Sequence, residues 1–577
     1  MKERVKIYII FILLTGIFIS CNENWLDVNS KGNLNESILA TEDGINALLV
    51  GAYSMLDGVS SQFSWEAASS NWLYADVRGI VGNKGTDAGD SGMENAIQNF
   101  NEIPTHPYLD VKWREVYAAV ARCNSAIIVT NQALADGKID QAKADIFLKQ
   151  ARVLRGWYHF EAWRMWQKIP YVDENTLQDT LTNKGDPRPE IIDDLGQGTG
   201  LPDNMGAIGR FNGTVSKVLL AKAKMQMYHD WAGALTLLQE AKNGTKPNGA
   251  PIGLAPTYGE VFDIVNRNGI EAVYTVQYSV NDGSGGYNGG WGEVLNFPYK
   301  SGGSPGGCCG FFQPTQEFVN SFRTSGGLPL LDNSYNNNPV KSDQGLRPSD
   351  PFTEDTGPLD PRLDWSVGRR GIPYWDWGNH TGSDWVRDQT YAGPYSPKKQ
   401  VYKKSDEGKY TEVGNWTSGW TANGYRMIRY ADVLLLIAEC QIETGDLEGA
   451  RANINLIRAR AANPAGFVKE SDNVTPAANY VVNQYPSAGY PFDNQMNARL
   501  ALRMERKLEL GMEGHRWFDL NRWGITVDEL NRALSYEKTM PWGNSMYGKA
   551  VVGMEDITYP VPQHQIDLSK GRLVQNR

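Results

Sequence analysis

Residues 430–462 read YADVLLLIAECQIETGDLEGARANINLIRARAA. Tyr430, Val433, Ile437 and Cys440 recur at the three-to-four-residue spacing that lines one face of a helix, and Ala450, Ile454, Ile457 and Ala461 do the same farther on. Between them stands Gly445-Asp446. Glycine accepts the left-handed conformation that closes a helix, and an aspartate after it can accept from the N–H groups that open the next, so the dipeptide reads as a stop followed by a start. Neither helix can bury its apolar face alone, which predicts an antiparallel pair that must stack on further pairs.

The same design recurs upstream, from Thr214 to Lys242. Leu220, Ala223 and Met227 precede a break at His229-Asp230, after which Trp231, Ala234, Leu235 and Leu238 resume the stripe. Helical stripes also run through Ile45, Leu48, Leu49 and Ala52, through Trp113, Tyr117, Val120 and Ala121, and through Val153, Trp157, Phe160 and Ala162. The expected fold is all-α, a tetratricopeptide-like helical solenoid. A last long helix is expected over about Met496 to Gly511, with Leu500, Met504 and Leu508 buried and alternating Arg and Glu outside. Between about residues 281 and 423 the periodicity gives way to Gly, Pro, Asn, Trp and Tyr. Long irregular insertions in a compact protein are normally functional loops, so the binding surface is sought there.

At the other end, Lys2, Arg4 and Lys6 precede an apolar run from Ile7 to Ile19, then Ser20-Cys21. This is the form of an export signal, and the run is shorter than the ~20 residues of a spanning helix. A small residue followed by cysteine resembles a lipobox, which makes Cys21 the expected lipidation site and the protein an expected membrane-tethered one. The expected organisation is a lipoprotein signal peptide over 1–20, a tether over 21–40, a helical region over 41–250, and a C-terminal region over 251–577 that includes the loops.

A net charge of -10 offers no electrostatic footprint for a polyanion, which argues against nucleic acid. The short basic clusters Lys398-Lys399, Lys403-Lys404, and Arg503, Arg506 and Lys507 are expected to be solvated faces. Beyond Cys21, the cysteines lack the paired spacings of zinc sites, the six histidines are scattered, and no phosphate-cradling Gly-Lys-Ser motif occurs, so neither a cofactor nor a metal is expected. Cys123 and Cys440 sit in apolar helical contexts and are expected to be buried thiols. Cys308 and Cys309, flanked by glycines, form either a vicinal disulfide or two free thiols.

Several motifs, in order along the chain, carry a family resemblance. They are Trp25-Leu26-Asp27-Val28; Ala151 to Phe160 (ARVLRGWYHF) running on to Ile169-Pro170; Arg429-Tyr430-Ala431-Asp432 with Ala438-Glu439 and Arg458-Ala459-Arg460-Ala461; Glu505 to Leu510 (ERKLEL) with Glu513 to Gly524 (EGHRWFDLNRWG); and Pro560-Val561-Pro562-Gln563. Together they resemble the SusD/RagB family of outer-membrane nutrient-uptake lipoproteins. The resemblance implies a helical scaffold of four tetratricopeptide-like units whose loops form a shallow oligosaccharide platform. It also implies a lipid-anchored position on the outer membrane, facing the exterior, and delivery of glycan to a SusC-like TonB-dependent transporter without cleavage.

The loops are rich in the residues such a surface needs. A flat aromatic ring offers apolar area to the C–H faces of a pyranose, and neighbouring polar side chains bond its hydroxyls. The candidates are Tyr287 and Trp291 between glycines; Trp375 and Trp377, expected to share a face of an extended segment with one of them turned to the core, and Trp385 beyond them; and Trp72 after the first helix, with Trp65 assigned to the core. Ahead of the Trp113–Tyr117 helix the chain has only Phe100 and Tyr108, a departure from the family's aromatic arc. Two rival readings remain. A glycoside hydrolase would use Asp360, Asp364, Asp376 or Asp384, which depends on their separation in space. A protein-binding scaffold would use the helical repeats alone.

Overall fold

A computed structural model of the protein describes residues 36–59, 65–177, 179–299, 303–414, 417 and 419–577. Cys21, with the expected signal and most of the expected tether, lies outside the described residues. The long helices are α1 (Glu42–Ser54), α2 (Pro107–Ala135), α3 (Gln141–Trp166), α4 (Arg188–Gln197), α5 (Gly213–Tyr228), α6 (Trp231–Lys242), α7 (Tyr430–Thr444), α8 (Leu447–Ala461) and α9 (Gln495–Leu510), each packed on the next. Two further helices follow, α10 (Arg516–Trp523) and α11 (Thr526–Glu537). This is the helical solenoid expected.

Both helix-turn-helix pairs close as their sequences dictate. His229 takes the left-handed conformation after α5, and the Asp230 carboxylate then accepts from the Gly233 N–H at 2.9 Å to open α6. Gly445 ends α7 at φ 92°, and Asp446 accepts from the Gly449 N–H at 2.9 Å to open α8. The stripe Val433, Ile437, Cys440, Ala450, Ile454 and Ile457 is buried. Because α6 also packs on α7, the two pairs stack although some 190 irregular residues separate them in sequence, roughly the interval from Lys242 to Tyr430.

The insertion between 281 and 423 has no described helix longer than the five residues Gln316–Asn320. Four strands matter for its placement: β1 (Gly82–Gly85), β2 (Ala272–Val276), β3 (Phe311–Pro314) and β4 (Tyr425–Arg429). The antiparallel pair β1–β3 ties the segment after α1 to the middle of the insertion, and β2–β4 ties its two ends together.

Charged residues hold the insertion to the scaffold. Arg429 bonds Glu271, Glu509 and Glu513, each at 2.7 Å; Arg460 reaches Glu271 at 2.7 Å and Glu509 at 2.5 Å. Arg362 pairs with Asp360 at 2.7 Å, Glu505 at 3.0 Å and Glu509 at 3.3 Å, Arg458 with Glu505 at 2.5 Å, and Lys399 with Glu513 at 2.7 Å. Five cations thus face five carboxylates, all buried. Burial of a lone ion costs several kcal/mol, and only this mutual closure offsets it.

The basic clusters expected to be solvated are in large part enclosed. Lys398, Lys399, Arg506 and Lys507 are buried rather than solvated, and the Arg and Glu residues of α9 from Glu505 to Glu509 face inward. The reason is that α9 is covered on its charged sides by the insertion, which supplies Arg362 to Glu505 and Glu509 and Glu317 to Lys507, and by α7 and α10, which supply Asp432 and Asp519 to Arg506. Leu500, expected to be buried, is exposed near the helix start, and Ala498, Ala501 and Leu502 take its place in the core.

Burial works to raise the Glu513 carboxyl, but Arg429 and Lys399 outweigh it and hold the group at about 2. Burial opposes Arg506 and Arg522 at Asp519 in the same way, again leaving about 2. Their folded values lie below the unfolded ones of about 4, so the stability they contribute is full above pH ~5 and is lost as pH falls toward 2. Glu537, which burial pushes up to about 8, acts in the opposite sense, losing its contribution as pH climbs to 8. Thermal melts across pH 2–9 should therefore show stability falling at both ends. Arg429→Met, which removes the one cation shared by Glu271, Glu509 and Glu513 and leaves the network a charge short, should cost ~3–5 kcal/mol in denaturant unfolding; a loss under ~1 kcal/mol would contradict the role given to the network.

Candidate carbohydrate-binding surface

Phe297-Pro298-Tyr299 runs from buried Phe297 to half-buried Tyr299, whose backbone N–H donates to Trp385 O at 2.9 Å. The Arg387 guanidinium lies 5.2 Å from the centre of the Tyr299 ring. Arg387 also bonds the Asp87 carboxylate at 2.8 Å and Thr86 Oγ1 at 3.0 Å, and pairs with Asp90. Lys84 caps the same turn from below, its ammonium donating to the Asp87 and Asp90 carbonyls at 2.7 Å each. Partial burial acts to raise the Asp87 carboxyl, but the N–H groups of Asp90 and Gly89 and the charge of Arg387 prevail and hold it below the usual range. A ring, a guanidinium, two carboxylates and a hydroxyl thus converge from three segments far apart in sequence.

The β1–β3 ladder makes this convergence possible. Gly85 sits at φ 82°, and a Cβ there would stand 2.3 Å from Gly310 O, so only glycine lets the 86–90 turn approach the strand before Phe311. Thr86 N–H donates to Gly310 O at 2.6 Å, and Gly310 N–H to Phe297 O at 2.9 Å. The adjacent Cys308 and Cys309 are joined as a disulfide, which settles the two alternatives left by the sequence. Cys123 and Cys440 are buried thiols, as expected.

The six aromatic candidates separate by environment. Tyr287 is 54% exposed, on a loop held by Asn281, which donates to Glu412 and Gly408, and by Asn288 Nδ2 donating to Asp282 at 2.8 Å. Trp291 is only 5% exposed: its indole donates to Gly286 O at 2.7 Å and its ring packs 5.1 Å from Trp420. Trp72, 1% exposed, donates to Gly292 O at 2.9 Å and packs on Phe312. Trp385, 3% exposed, meets Tyr374 and His380 edge-on. These three tryptophans are corrected from contact residues to fasteners of the loops, because a ring enclosed on both faces has no face left for a sugar.

Trp375 and Trp377 are half-buried, and the extended segment expected for them is absent. Trp375 has φ 51° inside a turn closed by Tyr374 N–H donating to Gly378 O at 2.9 Å. Trp375 packs on Trp365, while Trp377 donates to Tyr402 O at 2.9 Å. Lys403 and Lys404 lie over the two rings at 5.6 and 5.8 Å. Tyr299 was missed in the sequence because the reading favoured tryptophan; the signal present was an aromatic next to proline between two glycine-rich stretches.

Three of the four loop carboxylates are already engaged. Asp360 is buried against Arg362, Asp364 holds Arg369 through both oxygens at 2.6 and 2.8 Å and accepts from Tyr480 at 2.7 Å, and Asp376 accepts from the Lys404 and Ser405 N–H groups. Asp384 is half-buried. Among the described residues no helix is long and apolar enough to cross a membrane, and no group of His, Cys, Asp or Glu is placed to hold a metal ion.

A model of the SusD family matches residues 270–577, more than half of the chain. The chain belongs to the SusD family. Two SusD-like proteins of Formosa agariphila, named P2 and P25, are 23% and 22% identical to it, over 90% and 91% of this chain and the same shares of theirs. Among solved structures, a SusD superfamily protein from Bacteroides vulgatus superposes with a TM-score of 0.64 at 18% identity, covering 93% of this chain and 99% of that one. Surface glycan-binding protein A from Bacteroides thetaiotaomicron, in complex with laminarihexaose, has a TM-score of 0.62 at 20% identity, over 93% and 99%. These structures share the SusD fold of the chain.

If Trp72 fastens the 291–293 turn, Trp72→Ala should destabilise the protein by ~3–5 kcal/mol. A melting temperature equal to that of the parent protein would return Trp72 to the list of contact residues.

Proposed function

We propose that this SusD-family protein is a surface glycan-binding lipoprotein that captures oligosaccharide on the face running from Tyr287 to Tyr299 and hands it to a SusC-like TonB-dependent transporter. The observation that carries the reading is the convergence of the Tyr299 ring with Arg387, Thr86, Asp87 and Asp90. The ring supplies apolar area for the C–H face of a sugar, and the carboxylates and hydroxyl supply acceptors and donors for its hydroxyls. The laminarihexaose complex of a protein with the same fold supports carbohydrate as the ligand class.

Binding without cleavage is the reading favoured for the loop carboxylates. Hydrolysis of a glycosidic bond needs a pair of carboxyl groups facing the substrate, and Asp360 and Asp364 are instead closed in ion pairs. Trp375 and Trp377, half-buried under lysines, form a second aromatic patch whose free edges add contact area for a longer chain. The anchoring step assigned to Cys21 would hold the body on the outer membrane, facing the exterior.

Affinity electrophoresis against a panel of plant, fungal and host polysaccharides tests the reading. Tyr299→Ala and Tyr287→Ala should each weaken retention of the bound glycan about 5-fold, the equivalent of ~1 kcal/mol for one aromatic contact, with melting temperatures unchanged. No new reducing ends should appear on incubation. Retention of no polysaccharide, or unaltered retention by the double variant, defeats the proposal. Labelled palmitate should enter the exported chain, and Cys21→Ser should abolish the label.

A further inference from the structure

Away from the loops, α2 borders a cavity of about 650 Å³. Tyr117, Ala118, Ala121, Val172, Leu181 and Leu573 are among its lining, so it is mainly apolar, and Leu568 at its edge is 63% exposed. Ala118 and Ala121 contribute only methyl groups to its lining. Arg114, Arg572, Asp173 and Glu174 give the lining charges of both signs. The glycan-binding face uses none of these residues.

The first described residues rest on the same helix. The short helix Glu36–Leu39 packs against α2, and Ala40 joins Ala126, Ile127 and Ala133 in one apolar cluster. Ile127 is six residues past Ala121, or ~9 Å along the helix axis. The fourteen residues 22–35 that precede Glu36 lie outside the described residues. They are polar except for Trp25, Leu26, Val28 and Leu34. An extended chain covers up to ~36–40 Å between Trp25 and Glu36, several times the separation along α2. A segment serving only as a spacer has no use for Trp-Leu; it would be built from small and polar residues throughout.

We propose that this cavity is the dock of the chain's own N-terminal segment, with Trp25 and Leu26 seated between Ala121 and the C-terminal residues Leu568 and Leu573. The polar residues around them, Glu23, Asp27 and Lys31, match a rim that carries both signs of charge. Docking leaves only three residues between Cys21 and Trp25, a leash of four steps or ~13 Å, where the free segment up to Glu36 would allow nearly four times that length. The α2 face is thereby held close to the anchor point whatever the body binds.

The chain from Asn22 to Arg577 is compared with Trp25→Ala/Leu26→Ala and with Ala121→Arg. Ala121 is exposed, so arginine there blocks the cavity without entering the core. Hydrogen exchange should quicken at least tenfold over residues 113–128 and 565–573 in the double variant, and trypsin should cut after Lys31 at least tenfold faster in Ala121→Arg. The tail variant alone decides the matter if Ala121→Arg does not fold. Unchanged exchange in the double variant overturns the proposal, as does protection that grows with protein concentration, which would assign the cavity to a second copy.

Discussion

Arg429 touches Glu271, Glu509 and Glu513 at the point where the inserted loops rejoin the helices, and the architecture depends on that meeting. Helical pairs hold themselves together through apolar faces, but an irregular insertion has no periodic face to offer. It is attached instead by charges that neither side could bury without the other. Asp360, Arg362 and Lys399 come from the insertion, Arg458, Arg460, Glu505 and Glu509 from α8 and α9, and the balance closes only when both parts are in place. The network therefore contributes less to net stability than its short distances suggest, since desolvation cancels most of the attraction. What it specifies is position: any other seating of the loops would leave a buried ion unpaired.

The aromatics divide along a related line. An indole carries one N–H on a large apolar body, which suits it to joining a loop carbonyl to a core, as Trp72 does at Gly292 and Trp291 at Gly286. Tyrosine keeps its polar group at the far end of the ring, so Tyr287 stands more than half exposed, while Tyr299 is half-buried with Arg387 over its ring. Glycine-rich surroundings do not by themselves expose a ring. Around Trp291 they admit the close approach of Trp420, because a Cβ at Gly286 would stand 2.5 Å from that indole.

This explains what could be read from the chain. The helical pairs were legible to within a residue or two, because each is written locally: His229-Asp230 and Gly445-Asp446 are caps whose meaning needs no tertiary information. The charge of α9 was also visible, but its direction was not, since the covering residues Asp360, Arg362 and Lys399 lie more than a hundred positions away. The convergence of Asp87, Asp90, Tyr299 and Arg387 was hidden for the same reason. It is created by the β1–β3 pairing of two short strands, for which four residues such as Gly82-Asn83-Lys84-Gly85 give no alternation to detect. Legibility falls as the structure passes from local caps to pairings between distant segments.

A surface built this way has a definite physical character. Its backbone is irregular, yet its parts are fastened by buried ions, indole-to-carbonyl bonds and the Cys308–Cys309 linkage, so little conformational entropy remains to be lost when a ligand settles. A shallow, preformed face buries few atoms of each sugar and faces competition from water at every hydroxyl, which keeps the affinity of one contact low. Rigidity compensates at the level of the polymer. On the proposed function, successive residues of a repeating chain would meet the same fixed pattern of ring and carboxylate wherever they land, so a long glycan would gain from many equivalent registers what a single short one cannot gain from depth.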